Sequence, residues 1–318
     1  MPSVAVADIG GTNCRLAVFD TIPSLALRKV HIVPTSTVTD TDALWDMMQP
    51  LCGSEKPCAC CVALAGPVVS GSGQLTNGRL RLEQQRLAMR SGVPCVLCND
   101  FTAQAHACVT AAGRTASRII GATCAAPDGA CRGVIGAGTG LGMAALAAER
   151  GPDRGHQWRA LPSEGGHAAF PLMGEEEFAF ARYACSILRT EFVTAEQVLC
   201  GQGLSLLHAF LAGEHLTPPE VGQIALQRES ETLTWYARFY GRACRNWLLA
   251  SLCLGGLWVA GGIAASNPLC VTHQAFADAW LAPGKGQIIA AQTPVYLMTD
   301  CLSGLWGAAS IASMQCQL

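Results

Sequence analysis

The stretch that decides the fold stands near the start of the chain. It reads Val4-Ala5-Val6-Ala7-Asp8-Ile9-Gly10-Gly11-Thr12-Asn13 and is soon followed by Leu16-Ala17-Val18-Phe19. Two short apolar runs around a glycine-rich turn are typical of two β-strands joined by a tight hairpin. Glycine lets backbone N–H groups approach a polyanion, and the threonine hydroxyl adds a donor. Asp8 suits the Mg²⁺ that accompanies nucleotide phosphates, so the stretch predicts a phosphate-binding hairpin.

A second turn of the same kind begins the other half of the chain. Val134-Ile135 leads into Gly136-Ala137-Gly138-Thr139-Gly140-Leu141-Gly142, and another apolar run, Met143-Ala144-Ala145-Leu146, follows. Either turn alone could equally be a simple tight turn. Two of them, one near the start of each half, favour phosphate binding and predict a duplicated architecture with a cleft between the halves.

Two common nucleotide-binding motifs are excluded by these residues. A P-loop needs Gly-Lys followed by Ser or Thr, but the three lysines of the chain precede Val30, Pro57 and Gly286. A dinucleotide fingerprint needs glycine at its sixth position, which is Leu141 or Met143 here. The two turns therefore indicate a different class of nucleotide-binding protein.

Composition and charge limit the possible partners. The chain has 318 residues, of which 50% are hydrophobic and 14% charged, so it can bury the cores of two lobes. The formal net charge of −2 and the absence of a basic run argue against nucleic acid and anionic membranes as partners. An odd number of cysteines, 17, and no recognisable signal peptide lead us to expect a reduced, cytoplasmic protein.

Two local patterns need a choice between a structural and a functional interpretation. Cys58, Cys60 and Cys61 are close together, but they run into an apolar segment without a second Cys/His pair, which favours a buried strand over a metal site. Residues 248–265 lack charges over a length that could span a membrane. Glycine pairs at 255–256 and 261–262 divide this run into a helix end, a strand and a turn, which favours a soluble core.

A candidate catalytic acid follows another apolar run. Cys95-Val96-Leu97-Cys98 predicts a strand that ends at Asn99-Asp100, with a helix directly behind it. Ligands of α/β sheets usually bind at the carboxyl ends of the strands, so Asp100 is well placed for chemistry. In isolation, a role as a helix N-cap is as plausible as a catalytic one.

Five motifs in a fixed order carry a family resemblance. They are Asp8-Ile9-Gly10-Gly11-Thr12-Asn13, Asn99-Asp100-Phe101-Thr102-Ala103, the second glycine-rich turn, Glu164-Gly165-Gly166-His167 and Ala260-Gly261-Gly262-Ile263. Together they closely resemble the bacterial glucokinase family, a hexokinase-like branch of the superfamily that includes actin and the heat-shock chaperone ATPases. The resemblance runs from about residue 4 to the final helix.

The resemblance implies a fold and an activity. The fold is α/β, a two-lobed actin-like ATPase (ribonuclease H-like) fold with a ligand cleft between a small domain, residues 1–105 plus 301–318, and a large domain, residues 106–300. The activity is ATP-dependent phosphorylation of glucose to glucose 6-phosphate in glycolysis, with Mg²⁺ and without a structural metal. A cytoplasmic homodimer is expected, with glucose and ATP as its small-molecule partners.

The resemblance also assigns roles residue by residue. Asp100 matches the catalytic base, which accepts the sugar hydroxyl proton, and a carboxyl with the reference pKa of about 3.9 would suffice. The matched sugar ligands are Asn77, Asn99, Asp100, Glu164, His167 and Glu196. The nucleotide-binding set is Asp8, Gly10, Gly11, Thr12, Asn13, Gly138, Thr139, Gly140, Gly261 and Gly262.

Some of these positions have simpler interpretations, and two depart from the family pattern. Glu196 lies in a Thr194-x-x-Gln197 capping-box pattern, where an acid is ordinary, and an isolated histidine such as His167 is more often a core residue. Leu80 stands where the family usually has tryptophan, and Ser163 stands where glycine is common. The tryptophan departure puts the edge of the site near Asn77 in doubt.

Three alternatives remain open from the sequence. The first is another hexose or N-acylhexosamine kinase of the related repressor/kinase family, which usually carries a Cys-x-Cys-Gly zinc motif; no cysteine follows His167 until Cys185. The second is a non-catalytic or DNA-binding sugar sensor, but no helix-turn-helix precedes the first turn. The third is an actin-like filament or chaperone ATPase, which would not need the sugar-binding set.

Overall fold

The computed structural model describes residues 1–76, 78–150 and 156–316. The strands are, in chain order, β1 (Ser3–Ile9), β2 (Asn13–Asp20), β3 (Ala26–Pro34), β4 (Ala59–Leu64), β5 (Val68–Val69), β6 (Ser72–Gln74), β7 (Arg81–Glu83), β8 (Cys95–Asn99), β9 (Ser117–Ile120), β10 (Arg132–Ala137), β11 (Leu141–Arg150), β12 (His156–Ser163), β13 (Leu257–Ala260) and β14 (Val295–Leu297). The helices are α1 (Thr41–Cys52), α2 (Gln84–Ser91), α3 (Asp100–Ala107), α4 (Ala111–Arg114), α5 (Gly174–Leu188), α6 (Ala195–Leu199), α7 (Gly201–Ala212), α8 (Pro218–Ala225), α9 (Glu231–Ser251), α10 (Gly262–Ser266), α11 (Leu269–Thr272), α12 (Gln274–Trp280), α13 (Gln287–Ala291) and α14 (Ser303–Gln315), with 3₁₀ turns at Thr35–Thr37 and Gly165–His167.

The chain forms two compact units. Unit 1 comprises Met1–Thr115 and Asp300–Leu318, and unit 2 comprises Ala116–Thr299. The domain boundary expected between residues 105 and 106 falls inside α3, whereas the change of unit comes after α4. The reason is that both α3 and α4 pack against α14, the last helix of unit 1. The assignment of small and large functional domains stays a prediction.

The two units repeat one sheet topology. In unit 1 the strand order is β3-β2-β1-β4-β8, and in unit 2 it is β12-β11-β10-β13-β14 with β9 added at the edge. In each sheet the first three strands are antiparallel and the next two join in parallel. The duplicated architecture predicted from the two glycine-rich turns is therefore confirmed at the level of topology.

The sheet of unit 1 is covered by helices on both faces. Because side chains alternate along a strand, one set of residues of β1 and β4 packs with α1 and α2, and the other set packs with α14 and Ala103 of α3. The crossing of α3 and α14 is close, since a Cβ atom added at Gly307 would overlap the carbonyl oxygen of Ala103. This packing fixes the position of α3, whose first residue is Asp100.

In unit 2 the long helix α9 ties the core to the loops that carry site residues. Tyr236 and Tyr240 are fully buried on α9. The Tyr236 hydroxyl donates to the carbonyl oxygen of Leu199 at 2.6 Å, and the Tyr240 hydroxyl accepts from the amide of Ala137 at 3.2 Å. Leu199 and Ala137 end α6 and β10, so two core hydroxyl groups anchor the segments just before the loops described below.

The two ambiguous sequence patterns resolve as buried structure. Cys60 and Cys61 lie in β4, every residue of which is buried. Residues 248–265 form the end of α9, strand β13 and the turn into α10, as predicted. Among the described residues, the helices include none that is both long and apolar enough to cross a bilayer, and no cluster of three or more His, Cys, Asp or Glu side chains suited to a metal ion is found there.

Candidate active site

The catalytic candidate lies at the junction of β8 and α3. Asn99 is the N-cap of α3: its Oδ1 accepts from the Phe101 amide at 2.8 Å, while its Nδ2 donates to the Gly66 carbonyl at 3.1 Å. Asp100 is the first helical residue, and its Oδ1 also accepts from the Phe101 amide, at 3.0 Å. The N-cap position is thus filled by Asn99, and Asp100 lies one residue inside the helix, where its carboxyl shares the Phe101 amide with Asn99.

The carboxyl group of Asp100 has an unusual proton affinity. Burial, and then the negative charge of Asp8, raise the pKa of Asp100 to about 7, against the lowering effect of hydrogen bonds from Phe101 and Asn99. The sequence had suggested a reference pKa of about 3.9. The difference arises because desolvation penalises the ionised form, and burial is not visible in the local motif. A base that titrates near neutral pH is well matched to general base catalysis.

Asp8 lies at the end of β1 opposite Arg15 of β2. The Arg15 Nη1 and Asp8 Oδ2 atoms are 3.5 Å apart. Burial raises the pKa of Asp8, and the positive charge of Arg15 opposes this rise. From the other side Gly304 of α14 leaves no room for a side chain, since an added Cβ atom would lie 2.7 Å from the Asp8 Cγ. The acid predicted beside the first turn is therefore enclosed by a strand and a helix of the same unit.

The first glycine-rich turn is held by hydrogen bonds to the chain after β3. The Gly10 amide donates to the Asn13 carbonyl at 3.0 Å and closes the hairpin. The Thr35 hydroxyl donates to the Gly10 carbonyl at 2.8 Å, and the Thr35 amide donates to the Thr12 carbonyl at 2.9 Å. Gly11, Thr12 and Asn13 are exposed. The turn is thus anchored through its carbonyl groups while its tip faces outward, as a phosphate cradle requires.

The second glycine-rich turn in unit 2 is anchored in a comparable way. The Gly138 amide donates to the Gly140 carbonyl at 2.8 Å, and the Gly201 amide at the start of α7 donates to the Gly138 carbonyl at 2.9 Å. Gly261, which has φ +86°, lies directly behind it: an added Cβ atom would be 2.8 Å from the Ala137 amide nitrogen. Glycine at 261 is therefore required both by its left-handed backbone and by its close approach to β10.

The three sugar-ligand candidates of unit 2 lie together. His167, at the end of the 3₁₀ turn that follows β12, has its Nε2 3.4 Å from Glu164 Oε2 and its Nδ1 3.9 Å from Glu196 Oε1. The His167 side chain is 62% exposed, which rules out the simpler interpretation as a core histidine. The capping box of Thr194 and Gln197 is formed as predicted. The Glu196 carboxylate is nevertheless directed to the loop, because its Oε2 accepts from the Leu141 amide at 2.9 Å.

Comparison with known proteins identifies the family. The family profile described as Glucokinase matches residues 5–315. The chain belongs to the glucokinase family. Membership confirms the prediction from the five motifs, and the activity that defines this family is ATP-dependent phosphorylation of glucose.

Relatives and solved structures that are named glucokinases match this chain over nearly its whole length. A glucokinase from Chromohalobacter salexigens is 32% identical over 314 residues, covering 95% of each chain. The crystal structure of a glucokinase from an Antarctic psychrotroph superposes with a TM-score of 0.85 at 25% identity, covering 98% of this chain and 99% of that one. A ROK family glucokinase from Streptomyces griseus in complex with glucose and AMPPNP has a TM-score of 0.63 at 18% identity, covering 98% and 99%. These likenesses confirm the two-domain actin-like ATPase fold.

The two departures from the glucokinase pattern have different outcomes. Asn77 lies outside the described residues, so its sugar-binding role stays a prediction; Leu80, in place of the usual tryptophan, is buried at 6% exposure. Ser163 has a local function, because its hydroxyl oxygen accepts from the Gly165 amide at 3.0 Å at the start of the 3₁₀ turn. A serine can thus hold the Glu164-Gly165-Gly166-His167 segment in this member of the glucokinase family.

Sequence reasoning missed three residues that hold the site together. Arg15 could have been found, since a symmetric hairpin around Gly11-Thr12 places it opposite Asp8. Thr35 and Gly304 carry no comparable signal. They reach Gly10 and Asp8 from parts of the chain that are distant in sequence and are brought there by the sheet and by α14.

Proposed function

We propose that this member of the glucokinase family transfers the terminal phosphoryl group of ATP to the 6-hydroxyl group of glucose, with Asp100 as the general base. The observation that carries the assignment is the Asp100 carboxyl itself. It stands at the carboxyl end of a parallel strand, has a pKa raised to about 7, and lies one residue inside the helix whose N-cap is Asn99. A carboxyl group kept near neutrality by burial is the arrangement expected of a catalytic base rather than of a structural acid.

The chemistry asked of Asp100 is limited. Phosphoryl transfer depends mainly on in-line positioning and on neutralising charge, so the base has only to accept the hydroxyl proton as the oxygen–phosphorus bond forms. The proton leaves the sugar oxygen late, when the hydroxyl has become acidic. With a pKa of about 7, about half of the Asp100 carboxyl groups are ionised at neutral pH and can accept that proton.

Sugar recognition is assigned to polar groups on separate loops. Asn99 is oriented by its bonds to Phe101 and Gly66, which pre-organise its amide for a sugar hydroxyl. Glu164, His167 and Glu196 supply acceptors and a donor, and Asn77 is assigned to the same role by family resemblance. Each polar group left unpaired by a deoxy or epimeric sugar would cost about 1–3 kcal/mol, which is the basis for discrimination.

The two glycine-rich turns are assigned to the phosphates of ATP, and the Gly261-Gly262 turn to its adenosine side. A magnesium ion fits the acid set of unit 1, because the Asp8 side chain is only 13% exposed and its negative charge raises the pKa of Asp100. Asp8 would hold the ion, with water and phosphate oxygens as its other ligands. When bound, Mg²⁺ neutralises phosphate charge.

We place the reaction at the entry of glucose into glycolysis in the cytoplasm and propose that the protein is a homodimer. The low charge, the odd number of cysteines and the family resemblance support this setting. Sedimentation equilibrium at micromolar concentration tests the dimer, since a monomer mass would overturn it.

A coupled assay of Asp100→Asn tests the catalytic assignment. We expect a loss of kcat of about a hundredfold or more, with the Kd for glucose changed by only a few fold, because general base catalysis contributes about that factor. Asp128→Asn, which changes an acid whose side chain is 90% exposed, is the matched control and should retain normal turnover. Near-normal kcat for Asp100→Asn would refute the assignment.

The same assay run across hexoses and phosphoryl donors tests the substrate. Preference for N-acylhexosamine over glucose would favour the kinases of the repressor/kinase family. Sugar binding without turnover by any donor would favour a sensor. Strongest turnover with glucose and ATP is the expected result.

A further inference from the structure

The carboxylate of Glu196 lies against the backbone of the second glycine-rich turn. Its Oε2 accepts from the Leu141 amide at 2.9 Å. A Cβ atom added at Gly140 would come within 2.6 Å of the same Oε2 and within 3.4 Å of Cδ. Real Cβ contacts are not found at the first distance, so the carboxylate can occupy its position only because residue 140 lacks a side chain.

Backbone conformation does not explain the glycine at position 140. Glycine is demanded where φ is positive, as at Gly261, but Gly140 does not belong to the positive-φ glycines. Glycine at position 140 is therefore explained by the space that it leaves for the Glu196 carboxylate, because any side chain there would occupy that space.

The position of Glu196 is constrained on its helix side as well. Its backbone belongs to the first turn of α6, which the Thr194–Gln197 capping box holds with hydrogen bonds of 3.1 Å and 2.9 Å. The Gly201 amide, just after α6, is bonded to Gly138 of the turn. Because these hydrogen bonds hold the Glu196 backbone, helix α6 cannot shift to make room for a methyl group at residue 140. The Glu196 carboxylate must instead rotate away from the Leu141 amide.

We propose that Gly140 is a positioning residue for sugar binding. By leaving space beside the turn it lets the Leu141 amide orient the Glu196 carboxylate, whose other oxygen, Oε1, faces His167. The Glu196 carboxylate thus contacts both His167, another sugar-ligand candidate, and the second glycine-rich turn. This inference rests on the proposed function, because it takes Glu196 as a sugar ligand. It adds that a residue of the phosphate turn determines glucose affinity before any nucleotide binds.

Gly140→Ala tests the inference in a glucose titration by calorimetry with nucleotide absent. We expect the Kd for glucose to rise about tenfold, the effect of losing a well-oriented hydrogen bond to a charged group. Gly121→Ala is the control: it adds a methyl group at a glycine outside the residues assigned to binding, where its Cβ would meet nothing within 4 Å. It should leave the glucose Kd unchanged. An unchanged Kd for Gly140→Ala would overturn the inference.

A double-mutant cycle with Glu196→Ala separates positioning from general damage. If Gly140 acts through Glu196, Gly140→Ala should cost about tenfold in the wild-type background and almost nothing once Glu196 is alanine. Equal losses in both backgrounds would overturn the inference. If Glu196→Ala alone leaves the glucose Kd unchanged, the proposed sugar role of Glu196 fails, and the inference fails with it. If Glu196→Ala weakens binding while Gly140→Ala does not, the inference alone fails.

Amide hydrogen exchange of the wild-type protein provides a second measurement that does not depend on Gly140→Ala folding well. Glucose that binds Glu196 should further immobilise its carboxylate against the Leu141 amide and slow exchange at that amide. Glu196→Ala should abolish the slowing. Exchange at Leu141 that does not respond to saturating glucose would contradict the coupling.

Discussion

Replacing Asp100 by asparagine should change how the stability of the protein depends on pH. The pKa of Asp100 is about 7 in the folded protein, against 3.8 as the reference for the unfolded chain. Between these values the unfolded chain loses its proton while the folded protein keeps it, so the stability contributed by the group is complete below pH 3.8 and is lost as pH rises toward 7. Asparagine has the same shape, can accept from the Phe101 amide and does not ionise.

The expected magnitude follows from the difference between the two pKa values. The difference corresponds to about 4 kcal/mol in total, and about 2 kcal/mol of that falls between pH 5.5 and pH 8.0. Wild-type protein should therefore lose about 2 kcal/mol more unfolding free energy over this interval than Asp100→Asn does.

Urea unfolding followed by far-ultraviolet circular dichroism at pH 5.5 and pH 8.0 measures this quantity. The comparison of variant with wild type at each pH cancels the titration of other groups. Asp128→Asn, at an exposed acid, should follow the wild type at both pH values. If the stability difference between Asp100→Asn and wild type were the same at both pH values, the carboxyl would not titrate in this interval. The physical basis for Asp100 as a base of near-neutral pKa would then be lost.

Three further changes have defined outcomes. Asp8→Asn removes the negative charge that helps to raise the pKa of Asp100, so without Mg²⁺ the variant should lose less unfolding free energy between pH 5.5 and pH 8.0 than the wild type does. Arg242→Ala removes the guanidinium 2.6 Å from Oε2 of Glu177, which is 4% exposed, and should lower the unfolding free energy by about 1.5–3 kcal/mol, because Arg238 Nη1, 3.7 Å from Oε1, still compensates part of the charge. Gly307→Ala forces a methyl group onto the backbone of α3 and should cost about 1–3 kcal/mol, measured by urea unfolding.

The last two of these changes each have a control, and all three have a contrary outcome. Arg90→Ala breaks an ion pair whose two side chains are about half exposed, so it should cost less than 1 kcal/mol. Gly121→Ala adds a Cβ that meets nothing within 4 Å and should leave stability almost unchanged. Equal effects in test and control variants would contradict the packing arguments. If stability depended on pH in the same way in Asp8→Asn and in the wild type, the charge of Asp8 would not affect the pKa of Asp100.

Local patterns were enough to predict the elements that carry the site. The apolar runs on either side of Asp8-Ile9-Gly10-Gly11-Thr12-Asn13 predicted β1 and β2, and the run before Asn99 predicted β8 and the helix behind it. These predictions succeed because strands and turns are specified by neighbouring residues.

The properties of the candidate site depend on contacts between distant residues. The motif around Asp100 contains no sign of a raised pKa, which comes from burial and from Asp8 across the sheet. Likewise, Thr194-x-x-Gln197 predicts a capped helix, but the contact of Glu196 with Leu141 joins residues 55 positions apart in the chain. No local rule connects such residues, since their proximity follows from the packing of whole elements.

The amino-acid sequence by itself determined the family, the duplicated strand–turn–strand units and the identity of most candidate site residues, because these depend on residue type and short spacing. Only the tertiary structure decided that Asn99 rather than Asp100 caps α3, that the Asp100 carboxyl titrates near neutral pH, and that Gly140 makes room for Glu196. The physical reason is that desolvation and steric exclusion are set by whatever surrounds a group in space, and those surroundings come from remote parts of the chain.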